Sequence, residues 1–365
     1  MASTLKSLIS LHLVISIFTI LARCQLLPVE DPNFSTDGQE IGMVSAVDID
    51  SDGDLYVFHR TDRPWTDDTF LPNRNVLSAI GKVPISKDTI FIVDPNTGRK
   101  KSSFGNNFFN IPHGLKIDAN DTIWTTDVGR HQVFRFPKGA TQPDLVLGEK
   151  FVPGDDERHF CKPADVTFGR NGEFFVADGY CNSRILKFSR DGYLLFKWGV
   201  HLDNATSALN PYTLNTPHSL TYIEKEDLIC VADREHSRAL CYNGGYTNGL
   251  SLGSYNRTLV GVNETGKVFA IYYNKAANEI VTAGEISREP FLVNGQLIYP
   301  PRAFSYSLSG QKLSSWANIT QVVAKAGPSL IHDLCTSKDG QDVFLGDIVQ
   351  HKVFKYTRRP ISVVG

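Results

Sequence analysis

From about residue 43 onward the chain is written in short apolar runs that return in pairs. Ile123–Asp127 is followed by Val133–Phe136, Phe174–Asp178 by Ile185–Phe188, Ile229–Asp233 by Ala239–Tyr242, and Val343–Asp347 by Val353–Tyr356. The first run of each pair ends on an aspartate. Clusters such as Asp50–Gly53, Asp118–Asp121 and Gly169–Gly172 divide the runs with Gly, Asn and Asp, so the runs predict short strands joined by tight turns. The marker aspartates Asp127, Asp178, Asp233 and Asp347 are 51, 55 and 114 residues apart, the last being two periods. The copy between falls at Glu279–Gly284, with Gly284 in place of the aspartate, and an earlier copy runs from Val47 through Leu55 to Arg60. Six β-rich units of about 50 residues predict an all-β chain folded as a six-bladed β-propeller. That domain should occupy residues 43–358, with 25–42 as an N-terminal extension and 359–365 as a tail.

A second pattern rides on the first. Ile111-Pro112-His113-Gly114-Leu115, Thr216-Pro217-His218-Ser219-Leu220 and Leu330-Ile331-His332-Asp333-Leu334 each place one histidine at the start of the strand before a marker. The unit resembles the NHL type of propeller repeat. In an antiparallel hairpin, the start of the inner strand and the end of the second strand share one rim. His113, His218 and His332 therefore sit on that rim in blades two, four and six, a threefold placement around the channel. Arg60, Tyr180 and Arg234 end or just follow the second strands of blades one, three and four and should crowd the same rim. Blade three carries Pro163-Ala164 where the others carry His.

One histidine at a strand start is usually a polar rim residue; three in register argue for a metal. Three neutral imidazoles with one position left open suit Zn²⁺, although residue type alone leaves Fe²⁺ and Mn²⁺ open. Two arginines beside a dication make sense if an anion is expected, and guanidinium grips a carboxylate bidentately. Their alternative is ion pairing with the marker aspartates, for Arg234 above all. A cation and a guanidinium beside Tyr180 favour its phenolate, a candidate general base. Its alternative is a packed aromatic. Asp48–Asp54 looks like the front of an EF-hand loop, but it falls on a blade turn and lacks the helices and the final Glu.

Charge and composition narrow the partners. A net charge of −2 with no basic run disfavours nucleic acid. Residues 1–24 read as a secretory signal peptide: Lys6, an apolar run from Leu8 to Leu21, then Ala22-Arg23-Cys24. That run is short for a membrane anchor, and no other segment could span a bilayer, so the mature chain should have no membrane span. A secreted or secretory-lumen location is expected. Sequons at Asn33, Asn120, Asn204, Asn256, Asn263 and Asn318 fit it, as do two disulfides in corresponding repeats, Cys161–Cys181 and Cys230–Cys241. Cys335 is left as a buried free thiol.

At Val57-Phe58-His59-Arg60, Pro112-His113-Gly114-Leu115, Asp178-Gly179-Tyr180-Cys181-Asn182-Ser183-Arg184, Pro217-His218-Ser219-Leu220, Cys230–Arg234 and His332-Asp333 the chain resembles the peptidyl-α-hydroxyglycine α-amidating lyases. The resemblance covers roughly Met43 to Tyr356. It implies cleavage of the Cα–N bond of a peptide ending in α-hydroxyglycine, giving a C-terminal amide and glyoxylate, the second step of peptide-hormone and neuropeptide amidation. It implies zinc on His113, His218 and His332, and a catalytic or substrate-binding set of Arg60, Tyr180 and Arg234. It implies a structural Ca²⁺ on the carbonyls of Val47 and Leu115 and the carboxylate of Asp333, and the same two disulfides. The family also occurs fused to a copper monooxygenase, so this chain is expected to be a stand-alone lyase served by a separate peptidylglycine monooxygenase. It departs from the family at Ile331, where Pro is usual, and at the unpaired Cys335. The Gly- and Asn-rich stretch 242–265 reads as an excursion between blades four and five. The rivals are a non-enzymatic NHL-type binding propeller, which predicts no metal, and a Ca²⁺-dependent lactonase-type hydrolase, which needs carboxylates and Asn where this chain has His.

Overall fold

A computed structural model describes residues 26–71, 75–79, 81–201, 209–247, 249, 251–262, 264–285, 291–293, 296–298, 301–317 and 329–360. It contains six four-stranded antiparallel sheets, the expected six-bladed propeller. From the inner strand outward, blade one is Val44–Ile49, Leu55–His59, Ile90–Val93 and Lys100–Phe104; blade two is Pro112–Ile117, Ile123–Asp127, Gln132–Phe136 and Leu145–Leu147. Blade three is Asp165–Phe168, Phe174–Asp178, Arg184–Phe188 and Leu194–Trp198; blade four is Pro217–Ile223, Leu228–Asp233, Arg238–Asn243 and Tyr255–Val260. Blade five is Lys267–Asn274, Glu279–Glu285, Pro301–Tyr306 and Lys312–Trp316, and blade six is Ile331–Thr336, Asp342–Asp347 and Lys352–Pro360 closed by Leu26–Glu30. The described residues include no α-helix and no helix long and apolar enough to cross a membrane. The expected signal peptide lies outside the described residues.

Three boundaries differ from expectation, the first being the tail expected at 359–365: Arg359 and Pro360 belong to the last strand of blade six. The segment 25–42 is not an appendage: Leu26–Glu30 pairs with Tyr356–Pro360, so the chain's beginning covers the edge its end would leave open and locks the ring. The stretch 242–265 is not an inter-blade excursion either. Tyr255–Val260 is the outer strand of blade four, and its first four residues lie on the surface, which is why Asn256 and Arg257 read as loop.

The second strands carry apolar residues on both faces because each blade packs against two neighbours. Trp124, Val166, Phe174 and Phe188 fill the seam between blades two and three, and Phe58, Phe109, Leu115 and Phe134 that between blades one and two. The marker aspartates are fully buried clamps. Asp127 accepts the N–H groups of Asn110 and Ile111, Asp178 that of Cys161, Asp233 that of Asn215 and Asp347 that of Leu330. Each clamp thus fixes the backbone leading into its own inner strand, where the histidines sit.

Candidate metal centre

The histidines stand on irregularities of the ladder. In blade two the register jumps from Pro112↔Asp127 to Leu115↔Thr125, in blade four from Pro217↔Asp233 to Ser219↔Ala232, and in blade six from Ile331↔Asp347 to Asp333↔Gly346. Each jump leaves the histidine unpaired and turns its ring toward the axis, as β-bulges do at sites. Blades one and five bulge at the same level, in blade three Ala164 lies just before the inner strand, and the carbonyls at these three points hold the rings. His113 Nδ1 meets Ala164 O at 2.7 Å, His218 Nδ1 meets Phe269 O at 2.6 Å and His332 Nδ1 meets Ser45 O at 2.7 Å. A carbonyl only accepts, so every Nδ1 carries the proton and every Nε2 presents a lone pair. Gly114 permits the approach in blade two, since a Cβ there would lie 2.5 Å from Ala164 O.

The three rings are buried, with centroids 4.7–4.9 Å apart, and their ligand nitrogens lie within 4.8 Å of one another. Burial, then the neighbouring His332, pushes His113 and His218 well below the usual histidine range. Burial, then Arg60, brings His332 to about 3. All three are therefore neutral at physiological pH. Three lone pairs facing one centre repel unless a cation or a donor lies between them, so this donor set fits a metal ion.

Tyr180 is the donor at hand. Its hydroxyl donates to His113 Nε2 at 2.7 Å, lies 3.2 Å from His218 Nε2 and accepts from Arg234 Nη1 at 3.2 Å. It follows the second strand of blade three beside the Cys161–Cys181 disulfide. Gly179 before it is obligatory, since a Cβ would meet Pro217 O at 2.0 Å. Both expected disulfides form, and Cys335 is free and buried.

Neither arginine is bound to a marker aspartate. Arg234 pairs with Glu235 at 2.8 Å and stacks over Tyr180 and Phe269. Asp233 is taken by Arg238 and His236 instead. Arg60 is buried, and its Nε donates to Pro112 O at 2.9 Å. Its Nη2 is buried without a partner, and burial lowers the guanidinium to about 10 without neutralising it. A buried cation with a spare donor at this mouth is set to receive an anion. The sequence reading missed Trp65, whose ring lies 4.9 Å from Tyr180 and 5.3 Å under Arg60. The signal available was the long segment between the second and third strands of blade one.

Deeper in the channel the groups associated with calcium are otherwise engaged. Asp333 accepts the N–H, not the carbonyl side, of Val47 at 3.1 Å, and its two oxygens lie 3.3 and 3.5 Å from Lys116 Nζ. The cavity between the histidines and Asp165 and Asp333 is only about 10 Å³. Calcium needs an anionic oxygen shell free of a competing cation, so with Lys116 against Asp333 the residues Val47, Leu115 and Asp333 do not form a calcium site as they stand. Asp48, Asp165 and Asp333 do converge on the channel, but below the histidines and around a lysine. A larger cavity, about 600 Å³, opens at the far ends of the inner strands, away from the histidines.

Fold and centre define a class: an NHL-type propeller with a three-histidine, metal-competent cluster at one mouth of its channel. The NHL repeat family matches residues 109–136 and 160–188. The chain is 36% identical over 337 residues to peptidyl-alpha-hydroxyglycine alpha-amidating lyase 1 of Drosophila melanogaster, covering 88% of this chain and 58% of that protein. It is 40% identical over 236 residues to the probable peptidyl-alpha-hydroxyglycine alpha-amidating lyase pgal-1 of Caenorhabditis elegans, covering 64% and 65%. It is 35% identical over 334 residues to peptidyl-glycine alpha-amidating monooxygenase B of Xenopus laevis, covering 90% and 35%. By sequence the chain is thus a relative of the peptidyl-alpha-hydroxyglycine alpha-amidating lyases, and it spans less than two thirds of the length of each of these proteins. A streptogramin B lyase structure superposes with a TM-score of 0.50 at 12% identity, covering 92% and 97%, a likeness of fold alone.

Proposed function

We propose that this chain is a zinc-dependent peptidylamidoglycolate lyase. The observation that carries the reading is the joint placement of three neutral histidines, the Tyr180 hydroxyl and the unpaired Arg60 Nη2 at one mouth. His113, His218 and His332 would hold the ion through Nε2, and zinc would supply Lewis-acid polarisation of the substrate's α-hydroxyl. Arg60 binds the terminal carboxylate through Nη2. Tyr180, with Arg234 donating to its oxygen, takes the hydroxyl proton as general base. The hydroxyl's electron pair forms the C=O of glyoxylate, the Cα–N bond breaks, and the proton taken by Tyr180 passes to the departing nitrogen, which leaves as the amide and restores the tyrosine. Trp65 covers Tyr180 and limits water.

The substrate would come from hydroxylation of a glycine-extended peptide by a separate peptidylglycine monooxygenase. A secretory route is part of the proposal. It is supported by two disulfides and by the exposure of the sequon residues Asn33, Asn120 and Asn256, which would carry glycans. Asn204, Asn263 and Asn318 lie outside the described residues. The test is incubation of the purified chain with a peptide ending in α-hydroxyglycine. Equimolar peptide amide and glyoxylate are expected; no release above the uncatalysed rate would discard the reaction and leave a binding propeller.

A further inference from the structure

Below the histidines the channel holds one ammonium and three carboxylates. Lys116, from the inner strand of blade two, has a side chain only 6% exposed and pairs with Asp333 of blade six, itself 9% exposed. Asp48 of blade one and Asp165 of blade three also face the ammonium closely enough, with Asp333, to hold it charged against the effect of burial. Its Nζ lies 5.5 Å over the ring of Tyr272 in blade five. The carboxylates are not loose. Asp48 accepts Ile117 N–H at 2.7 Å, Asp165 accepts Leu220 N–H at 2.9 Å and Asp333 accepts Val47 N–H at 3.1 Å. Each bond joins an inner strand to that of the next blade. Lys116 therefore sits where blades one, two, three, five and six meet and offsets part of the charge of the groups that bind them.

We infer that the Lys116 ammonium is the built-in structural cation of this channel and replaces the calcium ion the family resemblance places there. Three buried carboxylates around an axis would suit a divalent cation were the centre empty. Here an ammonium already occupies it, and a dication set beside that ammonium would meet like charge in a low-dielectric interior. Both Asp333 oxygens already face the ammonium, at 3.3 and 3.5 Å. An ammonium, with three donors in a rotatable head, fits this set. The inference concerns the channel's cation alone and does not rest on the lyase reading.

The test is titration of the zinc-loaded full chain with calcium chloride, following heat release and melting temperature. The wild type should show no saturable calcium binding up to roughly 1 mM and no calcium-induced rise in Tm. Lys116→Ser, which removes the ammonium and opens its space, should melt lower without calcium. It should then bind about one calcium per chain, with Tm recovering on addition. Lys116→Met, which keeps the bulk but not the charge, should melt lower and stay there. Stoichiometric calcium binding by the wild type would overturn the inference, and so would a Lys116→Ser variant as stable as the wild type without calcium. If Lys116→Ser folds only when calcium is supplied, that supports the inference, and the wild-type titration stands independently of the variant.

Discussion

The two ends of one channel solve opposite problems. At the histidine end, neutral lone pairs converge on one point, and a buried guanidinium keeps a donor unpaired. At the other end, three carboxylates surround a lysine the chain itself supplies. The first end keeps a guanidinium donor unpaired, which costs stability and suits an anionic ligand. The second has part of its charge offset by the chain's own lysine, and its groups bind blade to blade. An end with a donor to spare suits a ligand; an end whose acids meet backbone N–H groups and a lysine ties blade to blade.

Variants should separate the ends. His218→Ala is expected to have the largest effect, with metal and activity lost together while the fold persists, as read by metal analysis and circular dichroism. Tyr180→Phe should lower turnover by about 10²–10⁴-fold with metal retained, the scale of a lost general base; near-normal turnover would remove the tyrosine from that role. Arg60→Ala should reduce kcat/KM by roughly 10–150-fold, corresponding to about 1.5–3 kcal/mol for hydrogen bonds to a charged group, with KM rising. Asp48→Ala, at the opposite end, should lower unfolding stability by about 1–3 kcal/mol because two backbone N–H groups lose their acceptor. Its metal content should not change, and a loss of metal there would break the distinction between the ends.

The smallest expected effect is one of pH. A proton must displace a metal from an imidazole, and burial lowers His332 from 6.5 to about 3 and depresses His113 and His218 as well. Metal binding should therefore survive a fall from pH 7 to pH 5, read as metal retained after gel filtration. Release as pH passes 6.5 would show rings that behave as exposed ones.

The repeat made much of this legible. The marker aspartates gave the period because each must clamp its own inner strand, and the period placed the three histidines on alternate blades. The hairpin direction brought Arg60, Tyr180 and Arg234 to the same rim. What sequence did not show were features carried by backbone. The carbonyls of Ser45, Ala164 and Phe269 fix the rings, yet a carbonyl leaves no trace in residue type. Leu26–Glu30 closes blade six, but a strand paired across the whole chain has no neighbour in sequence to announce it. Nothing in the sequence marks Lys116, because the acids that answer it come from three other blades.

The central claim is that the three-histidine cluster is a working metal centre. Its most direct test is metal analysis of the purified protein, with glyoxylate release measured before chelation, after it and after zinc is restored. About one zinc per chain is expected, with release lost on chelation and recovered with zinc. Full release from protein stripped of metal would contradict it.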